Sequence, residues 1–281
     1  METSDRLQAA IARLTAAGVE TPRLEAQLLL AQALGVTRTA VVAGIYREPE
    51  EGQRAEFERL VQARERRTPL AYLRGTQEFF GLTFRVGPAV LIPRPETEML
   101  VDFALEKLQN AGTLADVGTG SGCILTAALA NAPQARGVGF DLSAAALTLA
   151  RCNLRQNGAA ERARLVQGDL LTGAASERFD AIVSNPPYIP SEEIAALAPE
   201  VRDAEPRLAL DGGADGLECY RRLAVQALWA LRPGGWLAVE VGRGQAPDVA
   251  ALWQAAGWQE TAARRDLAGI ERVVCGRKGA R

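Results

Sequence analysis

Histidine does not occur in this sequence of 281 residues. Its absence excludes Ser-His-Asp and Cys-His catalysis and the common metal sites that use an imidazole ligand, and it removes the usual general base. Any reaction that the protein catalyses must therefore activate its reactants by other means. Lysine is almost as scarce, since it occurs only at Lys107 and Lys278.

Cysteine is rare and scattered. The four cysteines lie far apart in the sequence and form no CxxC pair: Cys123, Cys152, Cys219 and Cys275. Such spacing indicates neither a zinc site nor a disulfide framework. We interpret all four as buried small hydrophobic residues and predict that the protein holds no metal.

Long apolar runs and an excess of one charge are also missing. No apolar stretch approaches the length that spans a bilayer, and METSDRLQAAIARL at the start lacks the apolar region of a signal peptide. The formal net charge of −2 gives no bulk attraction to phosphate backbones, which weighs against nucleic acid without excluding it. We expect a cytoplasmic protein with no membrane partner and no direct nucleic-acid partner.

The pattern of apolar residues divides the chain into two parts. Leucine, isoleucine and alanine recur at helical spacing in DRLQAAIARLTAAG, PRLEAQLLLAQALG and EGQRAEFERLVQARERR. Residues 68–95 carry alternating and glycine-rich patterns that indicate short strands and turns. We predict a helical domain over residues 1–84, which includes the start of a β-hairpin linker, and a second domain over residues 85–281.

The second part alternates between strand-like and helical segments. The segments TLADVG, RGVGFD, ARLVQGD, FDAIVSN and WLAVEVG read as strands, and CILTAALANA, SAAALTLARCNLRQNG and CYRRLAVQALWALRPGG read as helices. This rhythm predicts a doubly wound α/β domain with a mostly parallel sheet. The final GWQETAARRDLAGIERVVCGR predicts two more strands, in an antiparallel hairpin at the sheet edge.

Ligand-binding residues follow three of the predicted strands. The first strand leads through Asp116 into a glycine loop, Gly118, Thr119, Gly120, Ser121 and Gly122, which opens a helix. Such a loop can approach a ligand closely, but its GxGxG spacing is not that of a dinucleotide site, and a tight structural turn would explain it alone.

Two acids strengthen the case for a nucleoside-containing ligand. Asp141 ends the second strand, where a carboxylate can accept from two ribose hydroxyls. Asp169 follows the third strand and could accept from an adenine amine, while the N–H of Leu170 meets a ring nitrogen. Each acid alone is more often a helix cap or a loop residue, but the combination at three strand ends is difficult to attribute to chance.

This arrangement resembles the class I S-adenosylmethionine-dependent methyltransferases, with their Rossmann-like fold. The resemblance implies that S-adenosyl-L-methionine is bound by the loop Gly118–Gly122 and by Asp141, Asp169 and Leu170, and that S-adenosyl-L-homocysteine is the product. Some members have tryptophan where this chain has Leu170, so the backbone contact is the one expected to persist.

The fourth strand ends in Asn185-Pro186-Pro187-Tyr188. A planar, conjugated nitrogen is a poor nucleophile because resonance delocalises its lone pair. The Asn185 side-chain oxygen and the Pro186 carbonyl could accept both N–H groups of such a nitrogen and aim its lone pair at a methyl group. We predict Asn185, Pro186 and Tyr188 as catalytic, all four residues as substrate-binding, and Asn185 as a cofactor contact, with Tyr188 packing on the acceptor plane.

This tetrapeptide does not by itself identify the acceptor, because methyltransferases that act on adenine, guanine or protein glutamine share it. PLAYLRGTQEFFGLTFRVGPAVLIPRPETE (69–98), SNPPYIP and RDLAGIERVVCGRK together resemble the HemK/PrmC family of release factor glutamine methyltransferases. The resemblance implies methylation of the glutamine side-chain amide in the Gly-Gly-Gln motif of class 1 peptide chain release factors, with the helical domain docking that partner.

Some alternatives remain at the level of sequence. Arg94, Thr97 and Glu98 fit an ordinary helix start as well as they fit a direct cofactor or substrate contact. An amino-methyltransferase of nucleic acid is the main alternative function. A nucleotide-dependent oxidoreductase is compatible with the fold class, but the GxGxG spacing and the Asn-Pro-Pro-Tyr strand end weigh against it. A non-catalytic docking protein would leave Asn185 to Tyr188 unexplained.

Overall fold

The structure is a computed structural model that describes residues 3–280. The chain forms two units: one comprises the described residues up to Gly75 together with Ala198–Ala204, and the other comprises Thr76–Leu197 and the chain from Glu205 onward. The division after Gly75 precedes the boundary predicted between residues 84 and 85. The hairpin that follows Gly75 belongs to the second unit because Phe79 and Phe84 are buried in its core, edge to face with ring centroids 6.0 Å apart.

The first unit consists of helices. Its core contains Leu14, Leu29 and Leu60, one from each of the three helices predicted from apolar spacing. The helices of this unit are α1 (Thr3–Ala16), α2 (Pro22–Leu34), α3 (Arg38–Ala43), α4 (Glu51–Glu65), α5 (Leu70–Arg74) and α9 (Pro199–Arg202). The short helices α3 and α5 were not among the three predicted helices, and α9 lies in the segment Ala198–Ala204.

The second unit alternates between strands and helices, as predicted. Its strands are β1 (Thr76–Phe79), β2 (Leu82–Arg85), β3 (Thr113–Val117), β4 (Arg136–Asp141), β5 (Ala163–Gln167), β6 (Phe179–Ser184), β7 (Leu231–Glu240), β8 (Gln259–Arg265) and β9 (Glu271–Arg277). Its α-helices are α6 (Glu98–Leu108), α7 (Cys123–Asn131), α8 (Ala144–Gln156), α10 (Glu218–Ala230) and α11 (Ala246–Ala255). Single 3₁₀ turns lie at Pro95–Thr97, Ala160–Arg162, Ile194–Ala196 and Arg207–Ala209.

Seven strands form one sheet in the order β5-β4-β3-β6-β7-β9-β8. The first five are mutually parallel, and β9 runs antiparallel between β7 and β8. This confirms the predicted α/β fold of the class I methyltransferase type, with its terminal antiparallel hairpin. Since β3 lies between β4 and β6, the topological switch point falls beside the glycine loop, where such sheets bind ligands.

Core residues occupy both faces of the sheet. Along β3, Leu114 packs with α6 and α7 on one face, and Ala115 and Val117 pack with α10 and α11 on the other. Strands covered on both faces read as continuous apolar runs, which is why β3 and β6 were recognisable in the sequence. No described helix is long and apolar enough to cross a membrane.

Three details of the predicted elements differ from the structure. The helix predicted over CYRRLAVQALWALRPGG ends at Ala230, and β7 begins at Leu231, because Pro233 has no N–H for a helix and disfavours helical geometry in the residue before it. Helix α11 was not predicted. All four cysteines are free thiols, but Cys152 and Cys219 are only partly buried, since each lies on the flank of its helix.

Candidate active site

The carboxyl ends of the five parallel strands meet at one edge of the sheet. In sheet order, this edge presents Asp169 after β5, Asp141 at the end of β4, Gly118 after β3, Asn185 after β6 and Glu240 at the end of β7. A cavity of about 590 Å³ opens there. Its size is within the range typical of cofactor sites.

Most of the predicted site residues line this cavity. The lining includes nine of them: Gly118, Thr119, Gly120, Ser121, Asp141, Asp169, Leu170, Asn185 and Pro187. The other three predicted residues, Gly122, Pro186 and Tyr188, are not among the described residues that line the cavity. Lining residues that the sequence did not predict include Leu142, Leu208 and Arg222.

Backbone hydrogen bonds and one buried acid shape the glycine loop. The Gly118 and Thr119 N–H groups both donate to Phe140 O, at 2.8 and 2.9 Å, which joins the loop to β4. Asp116 Oδ2 accepts from Thr119 Oγ1 at 2.6 Å and from the Leu125 N–H at 3.2 Å. Asp116 is completely buried, and this burial raises its pKa to about 7.

Gly122 does not line the cavity, and its role is in helix packing. It precedes α7 with φ +77°, and a Cβ there would lie 3.1 Å from Ala150 Cβ on α8. A glycine therefore allows both the turn into α7 and the close approach of α8. This explains why the last glycine of the GxGxG pattern does not line the cavity.

Asp141 joins the loop to the next helix and keeps acceptor capacity. Its Oδ2 accepts from the Gly120 N–H and its Oδ1 from the Ser143 N–H, each at 2.8 Å. An ionised carboxylate can accept about four hydrogen bonds, so each oxygen retains a lone pair. Partial exposure in the cavity wall makes that capacity available to a ligand with hydroxyl groups.

Two residues just after β5 are an aspartate that forms an ion pair and a leucine with a strained backbone. Asp169 Oδ2 accepts from Arg222 Nη2 at 2.6 Å, so the acid is held from α10. Leu170 has φ +52°, a left-handed conformation that costs a non-glycine residue about 1 to 2 kcal/mol. No acceptor among residues 3–280 receives its N–H, which leaves that donor for a ligand. Strain of this kind is typical of functional sites.

A buried chain of hydrogen bonds leads from β7 to Asn185. Thr97 Oγ1 donates to Glu240 Oε2 at 2.6 Å, and Asn185 Nδ2 donates to Thr97 Oγ1 at 3.1 Å. Burial raises the pKa of Glu240 to about 7. Thr97, which lines the cavity, is therefore joined by hydrogen bonds to Asn185 and to the buried Glu240, a residue that was not predicted from the sequence.

The other two linker residues, Arg94 and Glu98, have different positions: one lines the cavity and the other supports the β1–β2 turn. Arg94 lines the cavity, and its Nη2 donates to the buried Glu205 carboxylate, which also accepts from the Ile92 N–H at 3.3 Å. Glu98, in contrast, accepts from the Phe80 N–H at 2.7 Å and so holds the turn between β1 and β2.

The acceptors proposed for a planar nitrogen are free in this structure. No donor within residues 3–280 reaches the Asn185 side-chain oxygen or the Pro186 carbonyl. The segment beyond them is held tightly: Gln245 Nε2 donates to Tyr188 O at 2.9 Å, and a Cβ on Gly212 would lie 2.8 Å from Tyr188 Cα. Tyr188 packs against the core of this face, and burial raises its pKa to about 12.

The cavity fits a nucleoside-containing cofactor. Asp141 and Asp169 offer free acceptor capacity, the Leu170 N–H is an unused donor, and Leu142 and Leu170 supply apolar walls. Within residues 3–280, no group of three potential His, Cys, Asp or Glu metal ligands comes together.

Comparison with known proteins gives the same picture over nearly the whole chain. Residues 5–75 match the PrmC N-terminal domain and residues 95–214 match the methyltransferase small domain. The chain is 47% identical over 268 residues to a release factor glutamine methyltransferase of Caulobacter vibrioides, covering 95% of this chain and 93% of the relative. It is 45% identical over 262 residues to one of Geobacter sulfurreducens, covering 93% and 92%.

A solved structure supports the fold of the second unit. The crystal structure of a methyltransferase from Pyrococcus furiosus aligns with a TM-score of 0.55 at 20% identity, covering 72% of this chain and 91% of that one. At this identity the likeness shows the fold alone. The relatives confirm the resemblance that the linker and the Asn185–Tyr188 segment carry, and the chain belongs to the family of release factor glutamine methyltransferases.

Proposed function

We propose that this protein transfers a methyl group from S-adenosyl-L-methionine to the side-chain amide nitrogen of the glutamine in the Gly-Gly-Gln motif of class 1 peptide chain release factors. The observation that carries the proposal is the pair of free acceptors at the end of β6, the Asn185 side-chain oxygen and the Pro186 carbonyl. They lie at the edge of the sheet where the cofactor-sized cavity opens.

A glutamine amide has two N–H bonds and a lone pair that resonance delocalises. Asn185 Oδ1 and the Pro186 carbonyl each accept one N–H, which fixes the amide plane and aims the nitrogen lone pair at the methyl group. Proline at position 187 has a fixed φ and restricts the backbone geometry of the residue before it, so the Pro186 carbonyl is presented rigidly. Positioning of this kind can account for most of the rate enhancement.

The cofactor is held by the glycine loop from Gly118 to Ser121 and by Asp141, Asp169 and Leu170, while Gly122 allows the turn from this loop into α7. When bound, S-adenosyl-L-methionine supplies a methyl group on a positively charged sulfur. Asp141 accepts from the ribose hydroxyls with the lone pairs left over from the Gly120 and Ser143 N–H groups. Asp169 and the Leu170 N–H recognise the edge of the adenine.

Proton release needs no dedicated base in this scheme. The amide nitrogen becomes strongly acidic as the new bond forms, so its proton can pass to water. This suits a chain that contains no histidine. Tyr188 packs against the core beside the site, and its phenol stays neutral because burial raises its pKa to about 12.

The helical unit, which matches the PrmC N-terminal domain, docks the release factor. Translation termination places this partner, and therefore the reaction, in the cytoplasm. Nucleic acid is the alternative acceptor, because the Asn-Pro-Pro-Tyr segment suits any planar amino group.

The test is mass spectrometry of a release factor incubated with this protein and S-adenosyl-L-methionine. We expect one added methyl group on the Gly-Gly-Gln glutamine, and none on a release factor whose glutamine is replaced by alanine. Parallel incubations contain RNA and DNA with methyl-labelled cofactor. Label in nucleic acid, with none in the release factor, would overturn the proposed function.

A further inference from the structure

The Asn185 side chain has two chemically opposite ends. Its Oδ1 accepts hydrogen bonds and its Nδ2 donates them, yet the two ends have nearly the same shape. The proposed function requires Oδ1 to face the substrate amide. If the side chain turned over, its N–H groups would oppose the N–H groups of the substrate, and binding in the reactive orientation would be lost.

The hydrogen bonds of two buried residues determine which end faces the substrate. Thr97 and Glu240 are only 3% and 4% exposed. An ionised carboxylate can only accept, so the Thr97 hydroxyl must donate its single hydrogen to Glu240, at 2.6 Å. The Thr97 oxygen is then available only as an acceptor toward Asn185.

The contact between Thr97 and Asn185 follows from this direction. At 3.1 Å from Thr97 Oγ1, only the NH₂ end of Asn185 makes a favourable hydrogen bond. The Oδ1 end is thereby directed away from Thr97, and no donor within residues 3–280 reaches it.

We propose that Thr97 and Glu240 form an amide lock, a directional pair of hydrogen bonds that positions Asn185 with its oxygen toward the substrate. The proposal rests on the proposed function for its catalytic consequence. Thr97 and Glu240 are positioning residues, because they act on the substrate only through Asn185.

The backbone anchors both ends of the lock. Glu240 is the last residue of β7, and its carbonyl accepts from Tyr220 Oη at 2.9 Å. Thr97 ends the 3₁₀ turn that leads into α6. The linker thus has a task beyond joining two parts of the chain, since it brings the hydroxyl between β6 and β7.

Ionisation of Glu240 controls the direction of the lock. Burial is the largest influence and raises the pKa of Glu240 to about 7, and the charge of Glu96 adds to this rise. Hydrogen bonds from Thr97 and Asn185 and the charge of Arg272 act in the opposite direction. Tyr188 and Tyr220 also face this carboxyl, and their phenols stay neutral because burial raises the pKa of each. When protonated, Glu240 can donate to Thr97, whose hydroxyl can then donate to Asn185 and favour the wrong end. The lock is therefore set above pH 7 and is released as pH falls through this value.

The first experiment removes the hydroxyl with little change of shape. Thr97→Val should lower kcat for release factor methylation roughly tenfold, the effect of one lost orienting hydrogen bond, with KM for the cofactor nearly unchanged. Thr97→Ser should restore most of the loss. Thr126→Val is the matched control, because Thr126 is also fully buried and its hydroxyl has no partner in the described chain; it should behave as the parent. A parental kcat in Thr97→Val would overturn the lock.

The second experiment uses pH. The parent's kcat should fall as pH is lowered through about 7. The variant Glu240→Gln cannot ionise at this position, so its kcat should not show this fall. Asp116 also has a raised pKa near 7, so the comparison must be with the Gln variant and not with the parent's profile alone. An acidic limb that persists in Glu240→Gln would contradict the assignment of the switch to this carboxyl.

The third measurement does not depend on activity. The Asn185 side-chain NH₂ signals are identified by NMR through their loss in Asn185→Asp, and their exchange with water is measured. Slow exchange in the parent and in Thr97→Ser, with at least about tenfold faster exchange in Thr97→Val, supports the lock. Equally fast exchange in the parent would overturn it. A parent that fails to methylate release factor, yet shows the protected NH₂, refutes the proposed substrate and leaves the lock standing.

Discussion

Asn185 combines two tasks that a single polar atom could not perform. Its NH₂ group is bonded to Thr97 at 3.1 Å, while its oxygen remains free beside the cavity. Neighbouring Pro186 contributes a second free acceptor from the backbone, which no side-chain substitution can remove. The side-chain oxygen is therefore the part of the proposed clamp that mutation can test.

Asn185→Ala should reduce kcat for release factor methylation by about 100-fold or more, the usual effect of deleting one preorganised hydrogen-bond partner of a reacting group. The melting temperature should change little, because Asn185 is only half-buried. Asn131→Ala, an exposed asparagine at the end of α7, is the control and should keep parental activity. Activity of Asn185→Ala within a few-fold of the parent would rule out the clamp.

Asp141→Ala should weaken cofactor binding in calorimetry by at least about tenfold, because each hydrogen bond to a carboxylate contributes about 1.5 kcal/mol or more. The matched control is Asp180→Ala. Asp180 also accepts from a backbone N–H, that of Thr113 at 2.7 Å, but it lies at the opposite end of the strands. Equal loss of affinity in both variants would mean that Asp141 acts through stability and not through a ligand contact.

Residues that directly follow a strand were predictable from sequence, and residues that arrive from elsewhere were not. Asp141, Asp169 and Asn185 each follow an apolar run whose carboxyl end must lie at the binding edge. Glu240 carries the same signal, since it ends the apolar strand β7, and it was predictable for the same reason. Arg222 has no such signal, because it sits inside α10 and reaches Asp169 across 53 positions of sequence.

At the scale of elements, the turn from β3 into α7 combines a strained conformation with close packing. Gly122 has φ +77° and faces Ala150 of α8, whereas Gly158, just after α8, has φ +70° and open space around it. The two glycines therefore share a backbone conformation and differ in their surroundings. This difference separates the backbone requirement from the packing requirement.

Gly158→Ala should lower the free energy of unfolding by about 1 kcal/mol, the cost of a left-handed alanine. Gly122→Ala should cost about 2 to 4 kcal/mol, because the new methyl group must also push α8 from α7. Denaturant unfolding of both variants measures the difference. Equal losses would show that α7 and α8 can separate freely at Ala150.

The type of an element was predictable where its apolar periodicity was unbroken. The boundary of an element was not predictable where its strand pairing is irregular. The strand β7 starts at Leu231 because that residue pairs with Phe179, before the register shifts and Trp236 pairs with Ala181. A glycine-proline stretch inside a strand has no periodic signal. Helix α11 did have one, since proline stands in its first turn and Gly257 follows its end.

At the scale of the whole molecule, the chain does not divide at a single point. After Leu197 it leaves the α/β unit, contributes Ala198–Ala204 to the helical unit, and returns at Glu205, whose carboxylate pairs with Arg94 in the cavity wall. One contact of this segment with the rest of the helical unit is an ion-pair network across 136 and 133 positions of sequence, from Glu200 to Arg64 and to Arg67. Sequence patterns cannot report a contact of this range, which is why a two-segment division was not predicted.

Glu200→Ala should loosen this segment without unfolding the helical core. The Glu200 carboxylate lies 3.0 Å from Arg64 Nη2 and 2.7 Å from Arg67 Nη2, and Arg64 keeps a second partner in Glu25. Amide hydrogen exchange at residues 198–204 should accelerate by roughly tenfold, the effect expected from losing a partly buried ion pair. Glu192→Ala, an exposed glutamate of the same connection, is the matched control and should leave this exchange unchanged.

Acid should reproduce the effect of this substitution in the parent. Burial opposes ionisation of Glu200, but hydrogen bonds from Arg67 and Arg64 prevail and hold its pKa below the ordinary value of 4.5. A group with a lowered pKa stabilises the fold above its ordinary value, and this contribution is lost as pH falls through the lowered value. Exchange at residues 198–204, corrected for its intrinsic pH dependence, should therefore accelerate in the parent as pH falls below the ordinary pKa of 4.5, and not in Glu200→Ala. The same acid response in both proteins would show that another group holds the segment.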